Sequence, residues 1–361
     1  MRKVIILGAT GSIGNTALRA IKEKSLPLKV VGLVAFSSKD KLEALGQEFK
    51  APTLLMENQG KEVLFAFIKS LDAEIALNGI AGAFGLYATL CCLDCHLDVA
   101  LANKESIVMG GDFLLSYAKK LNQRLIPVDS EHSALYHLIT DYNSVDKLII
   151  TASGGPFLNR LDLTEVTVEE AINHPTWKMG KKISIDSATL ANKGLEVIEA
   201  GFLFNFKASN IEVVVHRQSV VHSMILKKDG SIYAQLSPPD MTLPIISALS
   251  DNHFELSNIV KRLDFTNLDL TFTHYDPLQF PLLSLAFKVL EQKKGYPIAF
   301  NAADEVAVKA FIDGKLKFTQ IAKVVEATVN HNFEATATSY EEIMAIDSKA
   351  RLIANELIAN A

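Results

Sequence analysis

The chain has 361 residues, 49% of them hydrophobic and 21% charged, with a formal net charge of −5. That length exceeds one ordinary domain, so two or three compact parts with a sizeable core are expected. The acidic balance gives no electrostatic footprint for nucleic acid or an anionic membrane, and no apolar run approaches the ~18 residues that span a bilayer.

Residues 1–7 begin with Met1-Arg2-Lys3 and continue as a short apolar run that leads straight into a glycine turn. They read as a first strand and not as a secretory leader, so a cytoplasmic location is expected. Further apolar runs follow at 29–36, 73–78, 96–100, 125–128 and 147–151, with a helix-like stretch to about residue 24 after the first. Runs at this spacing predict βαβ units and a parallel sheet. Residues 211–215, 219–226 and 231–236 read as three short strands, the last two joined by Lys228-Asp229-Gly230, which implies a second, mixed sheet. The polar segment from Thr266 to Pro277 reads as a linker. From residue 282 onward the pattern is helical, with Leu282, Leu285, Ala286, Val289 and Leu290 on one face. Cys91, Cys92 and Cys95 lie beside His96 with no second ligand cluster, and they read as reduced, mostly buried thiols.

Gly8-Ala9-Thr10-Gly11-Ser12-Ile13-Gly14 follows the first strand and opens a helix, a G-x-x-G-x-x-G variant of the dinucleotide fingerprint. Glycines permit the tight turn and let the pyrophosphate meet the helix N-terminus. An NAD-specific protein usually carries an acid at the end of the second strand. Here Ser37, Ser38 and Lys39 stand in that region, with Asp40 only afterwards, which favours the extra phosphate of NADP.

Asp129-Ser130-Glu131 follows the run 125–128, and on extended chain both carboxylates face one way. Two hard oxygen donors make a candidate Mg²⁺ or Mn²⁺ site. Ser184-Ile185-Asp186-Ser187 looks like the start of a helix, with Asp186 or Ser187 as cap. Asn192, Glu196 and Glu199 share one face of the helix that follows, so Glu196 supplies a third carboxylate and Lys193 a cation for a phosphate. The plainer reading of that helix is an amphipathic surface element. Gly194 is costly in mid-helix and suggests close approach of something. Thr151 to Pro156 follows a strand and exposes Ser153 beside glycine amides, a natural anion nest. Trp177, the only tryptophan, lies in a loop-like stretch from His174 to Gly180 and reads as a lid or as a loop anchor. His216 and His222 lie in strand-like sequence and read first as satisfied core histidines.

Eight segments, in order, resemble the deoxyxylulose phosphate reductoisomerase family. They are GATGSIG at Gly8, LANKES at Leu101, PVDSEHSA at Pro127, TASGGPF at Thr151, HPTWKMGKKISIDSATLANKGLEVIEA at His174, VHRQSVVHSM at Val215, PPDM at Pro238 and NAADEVAV at Asn301. The resemblance implies an α/β chain built from an N-terminal Rossmann-like dinucleotide-binding domain, a central α+β catalytic domain and a C-terminal helical domain. On this sequence those fall at 1–129, 130–265 and 282–361, with 266–281 as linker.

It further implies NADPH and Mg²⁺ or Mn²⁺ as cofactors, a small sugar phosphate as substrate, and a homodimer. Asp129, Glu131 and Glu196 match metal ligands, and Lys104, Glu131 and His174 match catalytic residues. Ser130, Ser153, His174, Trp177, Ser187, Asn192, Lys193 and Glu196 match substrate contacts. Thr10, Gly11, Ser12, Ile13, Asn103, Glu105 and Met179 match cofactor contacts, and Met241 lies beside cofactor or substrate. The family's Ala-Gly-basic-Asn after the second strand is replaced here by Ala35-Phe36-Ser37-Ser38-Lys39, so Ser37, Ser38 and Lys39 are the expected 2′-phosphate contacts. The expected reaction rearranges 1-deoxy-D-xylulose 5-phosphate and reduces it to 2-C-methyl-D-erythritol 4-phosphate. The rival readings are a metal-independent NADP dehydrogenase of another small phosphorylated substrate and a nucleotide-sensing module without activity.

Overall fold

The computed structural model describes residues 1–177, 179–251, 253–266 and 268–360. In chain order the elements begin β1 (Arg2–Leu7), α1 (Ser12–Glu23), β2 (Leu28–Ala35), α2 (Lys39–Phe49), β3 (Thr53–Leu55), α3 (Glu62–Lys69), β4 (Ile75–Asn78) and α4 (Phe84–Asp94). They continue β5 (Asp98–Leu101), α5 (Lys104–Lys120), β6 (Leu125–Pro127), α6 (Ser130–Leu138), β7 (Val145–Ala152), α7 (Val168–Ile172), α8 (Lys181–Ala188) and α9 (Ala191–Leu203). The last are β8 (Ile211–Val215), β9 (Val221–Lys227), β10 (Ile232–Leu236), α10 (Thr242–Ser250), α11 (Pro281–Gln292), α12 (Tyr296–Ile312), α13 (Phe318–Val329) and α14 (Tyr340–Ala359).

The chain divides into two compact units. One comprises Met1–Ser106, Leu114–Tyr136 and Asp240–Leu263; the other comprises Ile107–Phe113, His137–Pro239 and Asp264–Ala361. In the first, a parallel sheet runs β3-β2-β1-β4-β5-β6. Val4 to Leu7 are fully buried because helices cover both faces, which is why β1 reads as an unbroken apolar run. Helix α1 turns Ala17, Leu18 and Ile21 into the same core as Val4, Ile6 and Leu33. Helix α10 brings Ile245, Ile246 and Leu249 to that cluster from far along the chain. Arg2 donates to the Leu249 carbonyl at 2.8 Å, tying the end of α10 to the start of β1. Strand β3, which the hydrophobic pattern did not announce, is a three-residue edge strand, exposed or half-buried along its length.

The second unit holds a mixed sheet, β10-β9-β7-β8, in which β7 and β8 are parallel and β9 runs against both β7 and β10. Helix α11 lies on α9, and its face of Leu282, Leu285, Ala286, Val289 and Leu290 is buried, as the 3.6-residue period predicts. Glycine makes that packing possible: a Cβ on Gly194 would stand 2.9 Å from the Ala286 Cβ. The close approach suggested by Gly194 is therefore that of α11. Between Leu263 and Pro281 the described residues form no helix, and the only ladder contact among them is one bridge from Thr273 to Val215.

Candidate active site

The strand order 3-2-1-4-5-6 reverses direction between β1 and β4, and in open α/β sheets ligands bind at that switch point. The glycine turn sits there. Gly8 adopts φ +82°, and a Cβ on it would stand 2.7 Å from the Gly79 carbonyl oxygen after β4. A Cβ on Gly14 would meet the Gly8 carbonyl oxygen at 2.5 Å, so the turn and α1 must both stay bare. The Gly11 N–H closes the turn on the Gly8 carbonyl at 3.0 Å. No side chain caps the start of α1, so the first N–H groups of the helix are available to an anion.

The Thr10 carbonyl accepts from Asn15 Nδ2 at 2.7 Å and from Lys41 Nζ at 3.0 Å. Lys41 is a residue that the motif reading missed. Its only sequence signal is a basic residue in the first turn after the second strand. Ser37, Ser38 and Lys39 lie exposed past β2, with Ser38 at the uncapped start of α2 and the Lys39 ammonium 3.9 Å from Glu43. Phe36, just before them, is 69% exposed. Asn103 and Glu105 are held by the loop after β4. Asn103 caps α5, donates to the Gly82 carbonyl at 3.1 Å and to Glu105 at 2.6 Å, and Glu105 accepts from the Gly82 N–H at 3.1 Å.

In the same unit Lys104, at the first turn of α5, sets its ammonium 2.7 Å from Asp129. The expectation that Asp129 and Glu131 sit two apart on extended chain is corrected here. The chain turns into α6 at Ser130, and the Ser133 N–H already bonds the Asp129 carbonyl at 2.7 Å. Asp129 thus immediately precedes a helix whose first turn contains Glu131, where the macrodipole favours both charges. The Ser130 N–H donates to Asp129 at 3.0 Å and its hydroxyl to Glu131 at 2.5 Å, so Ser130 orients both carboxylates. These oxygens are the hard donors a divalent cation requires. Met241 is half-buried against the apolar core of this unit.

In the second unit β7 ends in a turn where Gly154 and Gly155 take φ +82° and +63°. A Cβ on Gly155 would lie 2.6 Å from the Ser187 carbonyl oxygen, so this turn packs directly on the C-terminal end of α8. The segments bearing Ser153 and Ser187 are thereby brought together. Neither Asp186 nor Ser187 caps a helix start, contrary to the sequence expectation. Both lie in the last turn of α8, whose N-cap is Gly180, and both are buried.

His174 Nε2 stands 2.9 Å from the Ser153 hydroxyl. Its Nδ1 accepts the N–H groups of Thr176 at 3.1 Å and Trp177 at 2.9 Å, so the proton resides on Nε2 and points to Ser153. Burial, with Arg217 nearby, pushes the imidazole down to about 4. His174 is neutral at pH 7 and anchors the backbone leading to Trp177. Trp177 and Met179 are half-buried in a stretch between α7 and α8 without helix or strand among its described residues, while Lys178 falls outside them.

Helix α9 contradicts the plainer reading of a solvated surface helix. Lys193, Glu196 and Glu199 are 4%, 1% and 1% exposed. Asn192 Nδ2 donates to Glu196 at 2.5 Å, as the i,i+4 spacing predicts, and the Lys193 ammonium pairs with the same carboxylate. A buried carboxylate with a paired lysine is a hard-oxygen donor whose charge is already stabilised. His216 is a satisfied structural residue. Its Nδ1 donates to the Thr271 carbonyl at 2.9 Å and its Nε2 accepts the Val220 and Val221 amides at 3.2 and 3.1 Å. His222 is buried against the Ser237 hydroxyl at 2.8 Å, and burial pushes it down to about 4.

A doubly wound sheet with a glycine turn at its switch point defines a dinucleotide-dependent protein, and the carboxylates and hydroxyls define one acting on a polar substrate. Residues 125–204 match the 1-deoxy-D-xylulose 5-phosphate reductoisomerase C-terminal domain, and residues 236–353 match the DXP reductoisomerase C-terminal domain. Residues 4–65 and 56–111 match 1-deoxy-D-xylulose 5-phosphate reductoisomerase itself. The chain is 43% identical to the reductoisomerase of Treponema denticola over 98% of its own length and 96% of the relative's. It is 42% identical to that of Clostridium botulinum, covering 97% and 98% of the two chains. Among solved structures, a reductoisomerase in complex with NADPH, fosmidomycin and magnesium is similar with a TM-score of 0.92 at 37% identity, covering 99% and 98% of the two chains. The Zymomonas mobilis enzyme in complex with NADPH has a TM-score of 0.91 at 38% identity, with 99% of both chains covered. The chain belongs to the 1-deoxy-D-xylulose 5-phosphate reductoisomerase family. It is an enzyme, an NADP-dependent oxidoreductase and isomerase.

Proposed function

We propose that the chain converts 1-deoxy-D-xylulose 5-phosphate to 2-C-methyl-D-erythritol 4-phosphate with NADPH and a divalent cation, magnesium in the first place and manganese as a substitute. The observation that carries this reading is the packing of the turn after β7 on the end of α8, which sets the Ser153 and Ser187 segments side by side. Asp129, Glu131 and Glu196 are the proposed metal ligands. Thr10 to Ile13, Ser37, Ser38, Lys39, Asn103, Glu105 and Met179 are the proposed cofactor contacts.

When bound, the cation supplies Lewis-acid polarisation and the nicotinamide supplies the hydride. The chain's own part is orientation and charge. Ser153, Ser187, Asn192 and Lys193 hold the phosphate. Lys104 and Ser130 donate toward the carbonyl and hydroxyl end of the substrate. His174, neutral, keeps its Nε2–H on the Ser153 side and its Nδ1 on the backbone amides. Trp177 closes over the substrate and excludes water, which strengthens every polar contact beneath it. The carbon skeleton rearranges by carbon–carbon cleavage and reunion to a branched aldehyde, which is then reduced.

A division into 1–129, 130–265 and 282–361 around a linker, assembly as a homodimer and a cytoplasmic location complete the proposal. Among the described residues no helix is long and apolar enough to cross a membrane. Mass spectrometry of the product, after incubation with substrate, NADPH and Mg²⁺, tests the function. A product two hydrogens heavier than the substrate is expected, with a methyl singlet in its proton NMR spectrum from a branched carbon that bears no hydrogen, whereas a methyl doublet from a straight-chain product of the same mass would refute the rearrangement.

A further inference from the structure

Two deeply buried carboxylates of the second unit, outside the proposed substrate and metal contacts, flank Lys182. Its ammonium lies 2.7 Å from Asp186 on its own helix and 2.9 Å from Asp304 on α12. The two carboxylate side chains are 2% and 0% exposed. Asp304 Oδ1 and, one turn earlier on α12, Asn301 Oδ1 accept no hydrogen bond among the described residues.

This arrangement is poorly explained as a source of stability. Lysine in the first turn of α8 and aspartate near its end oppose the macrodipole, the weaker order for an i,i+4 pair. Two carboxylates buried this deeply carry a desolvation penalty that apolar residues of similar size would avoid. The network does tie the two helices together, because the Lys182–Asp304 bond runs from α8 to α12. The position of α8 matters at both ends of the helix. Asp186 is followed at once by Ser187, whose carbonyl lies within 2.6 Å of where a Gly155 Cβ would stand. Gly180, the N-cap of α8, directly follows the segment with Trp177 and Met179.

We propose that Lys182 is a positioning residue of the reaction: by bridging Asp186 to Asp304 it sets α8 in the register that presents Ser187 to the substrate phosphate. The inference rests on the reading of Ser187 as a phosphate contact. A slip of α8 by a fraction of a turn would withdraw that contact, and misplacement by about 1 Å costs roughly 10² in rate.

The test compares Lys182→Met, Lys182→Arg, Asp304→Asn and Ser187→Ala in the full-length enzyme. Each is assayed for the KM of the sugar phosphate, inhibition by inorganic phosphate, NADPH affinity by fluorescence and fold by circular dichroism. Lys182→Met is expected to raise KM and weaken phosphate inhibition by about tenfold with NADPH affinity within twofold of the parent. Lys182→Arg is expected to recover most of that loss, and Asp304→Asn to fall between. Should Lys182→Met fail to fold, Asp304→Asn decides, because it removes one buried charge and leaves the Lys182–Asp186 pair. A folded Lys182→Met, or in its place Asp304→Asn, with KM unchanged overturns the inference, as does parallel loss of phosphate and NADPH affinity. If Ser187→Ala also leaves KM unchanged, the phosphate reading itself falls. If only Ser187→Ala raises it, the reading stands and the role of Lys182 is wrong.

Discussion

Lys104 places its ammonium 2.7 Å from Asp129, and the two side chains are only 8% and 17% exposed. The pair joins the first turn of α5 to the residue before α6. In so dry a setting a preorganised cation is worth far more than at the surface. Lys104→Met is expected to lower kcat by about 10²-fold or more, the scale of losing one preorganised donor. Steady-state rates measured beside circular dichroism spectra decide this, and a folded variant with near-parental turnover would remove Lys104 from the chemistry.

Glu196 is 1% exposed and is held by Asn192 and Lys193. Glu196→Gln keeps the shape and removes the charge that a cation needs. Turnover should disappear while NADPH binding, followed by its fluorescence, persists. Normal turnover with saturating Mg²⁺ would take Glu196 out of the metal set.

His174 ties the Trp177 loop by accepting two backbone N–H groups on Nδ1. Its value is pushed from 6.5 to about 4, so the closed form prefers the neutral ring. The contribution to loop anchoring is therefore complete above pH 6.5 and is lost as pH falls toward 4, where the opened loop binds the extra proton. Trp177 is the only tryptophan, so its emission reports the loop directly. Emission should be constant above pH 6.5 and shift between 6.5 and 4, and His174→Asn should remove that pH dependence. A flat emission profile in the parent would show that His174 does not anchor this loop.

Gly194 is occupied by glycine because α11 leaves no room, with Ala286 Cβ 2.9 Å and the Leu282 carbonyl oxygen 3.3 Å from a built Cβ. Gly194→Ala gains ~1 kcal/mol of helix propensity but overpacks a tight interface at a cost of ~1–3 kcal/mol. A lower Tm is expected, with partial recovery in the Gly194→Ala, Ala286→Gly double variant. A higher Tm in the single variant would mean that the helices part without cost.

What the sequence disclosed follows from which signals are local. Strands β1, β2, β4 and β5 are buried on both faces and so are written as apolar runs, whereas β3 is a short edge with no such run. The glycine turn was legible because a strand, a tight turn and a helix leave their mark within a few residues. The geometry around Asp129 was not, since the run 125–128 reads as extended and nothing local announces that α6 starts at Ser130. Burial of Lys193 and Glu196 was equally hidden: their letters spell a surface helix, and only the packing of α9 reveals them as dry. Lys41 escaped because its meaning depends on a bond to Thr10, 31 residues away.

The central claim, metal-dependent reductive isomerisation with NADPH, is tested most directly by NADPH absorbance with 1-deoxy-D-xylulose 5-phosphate. The assay is run with Mg²⁺ or Mn²⁺, again after chelation, and again after metal is restored. Oxidation that stops on chelation and resumes with metal is the predicted result. Oxidation that proceeds without metal would contradict the account and point to a plain dehydrogenase, and no oxidation with active reagents would overturn the substrate.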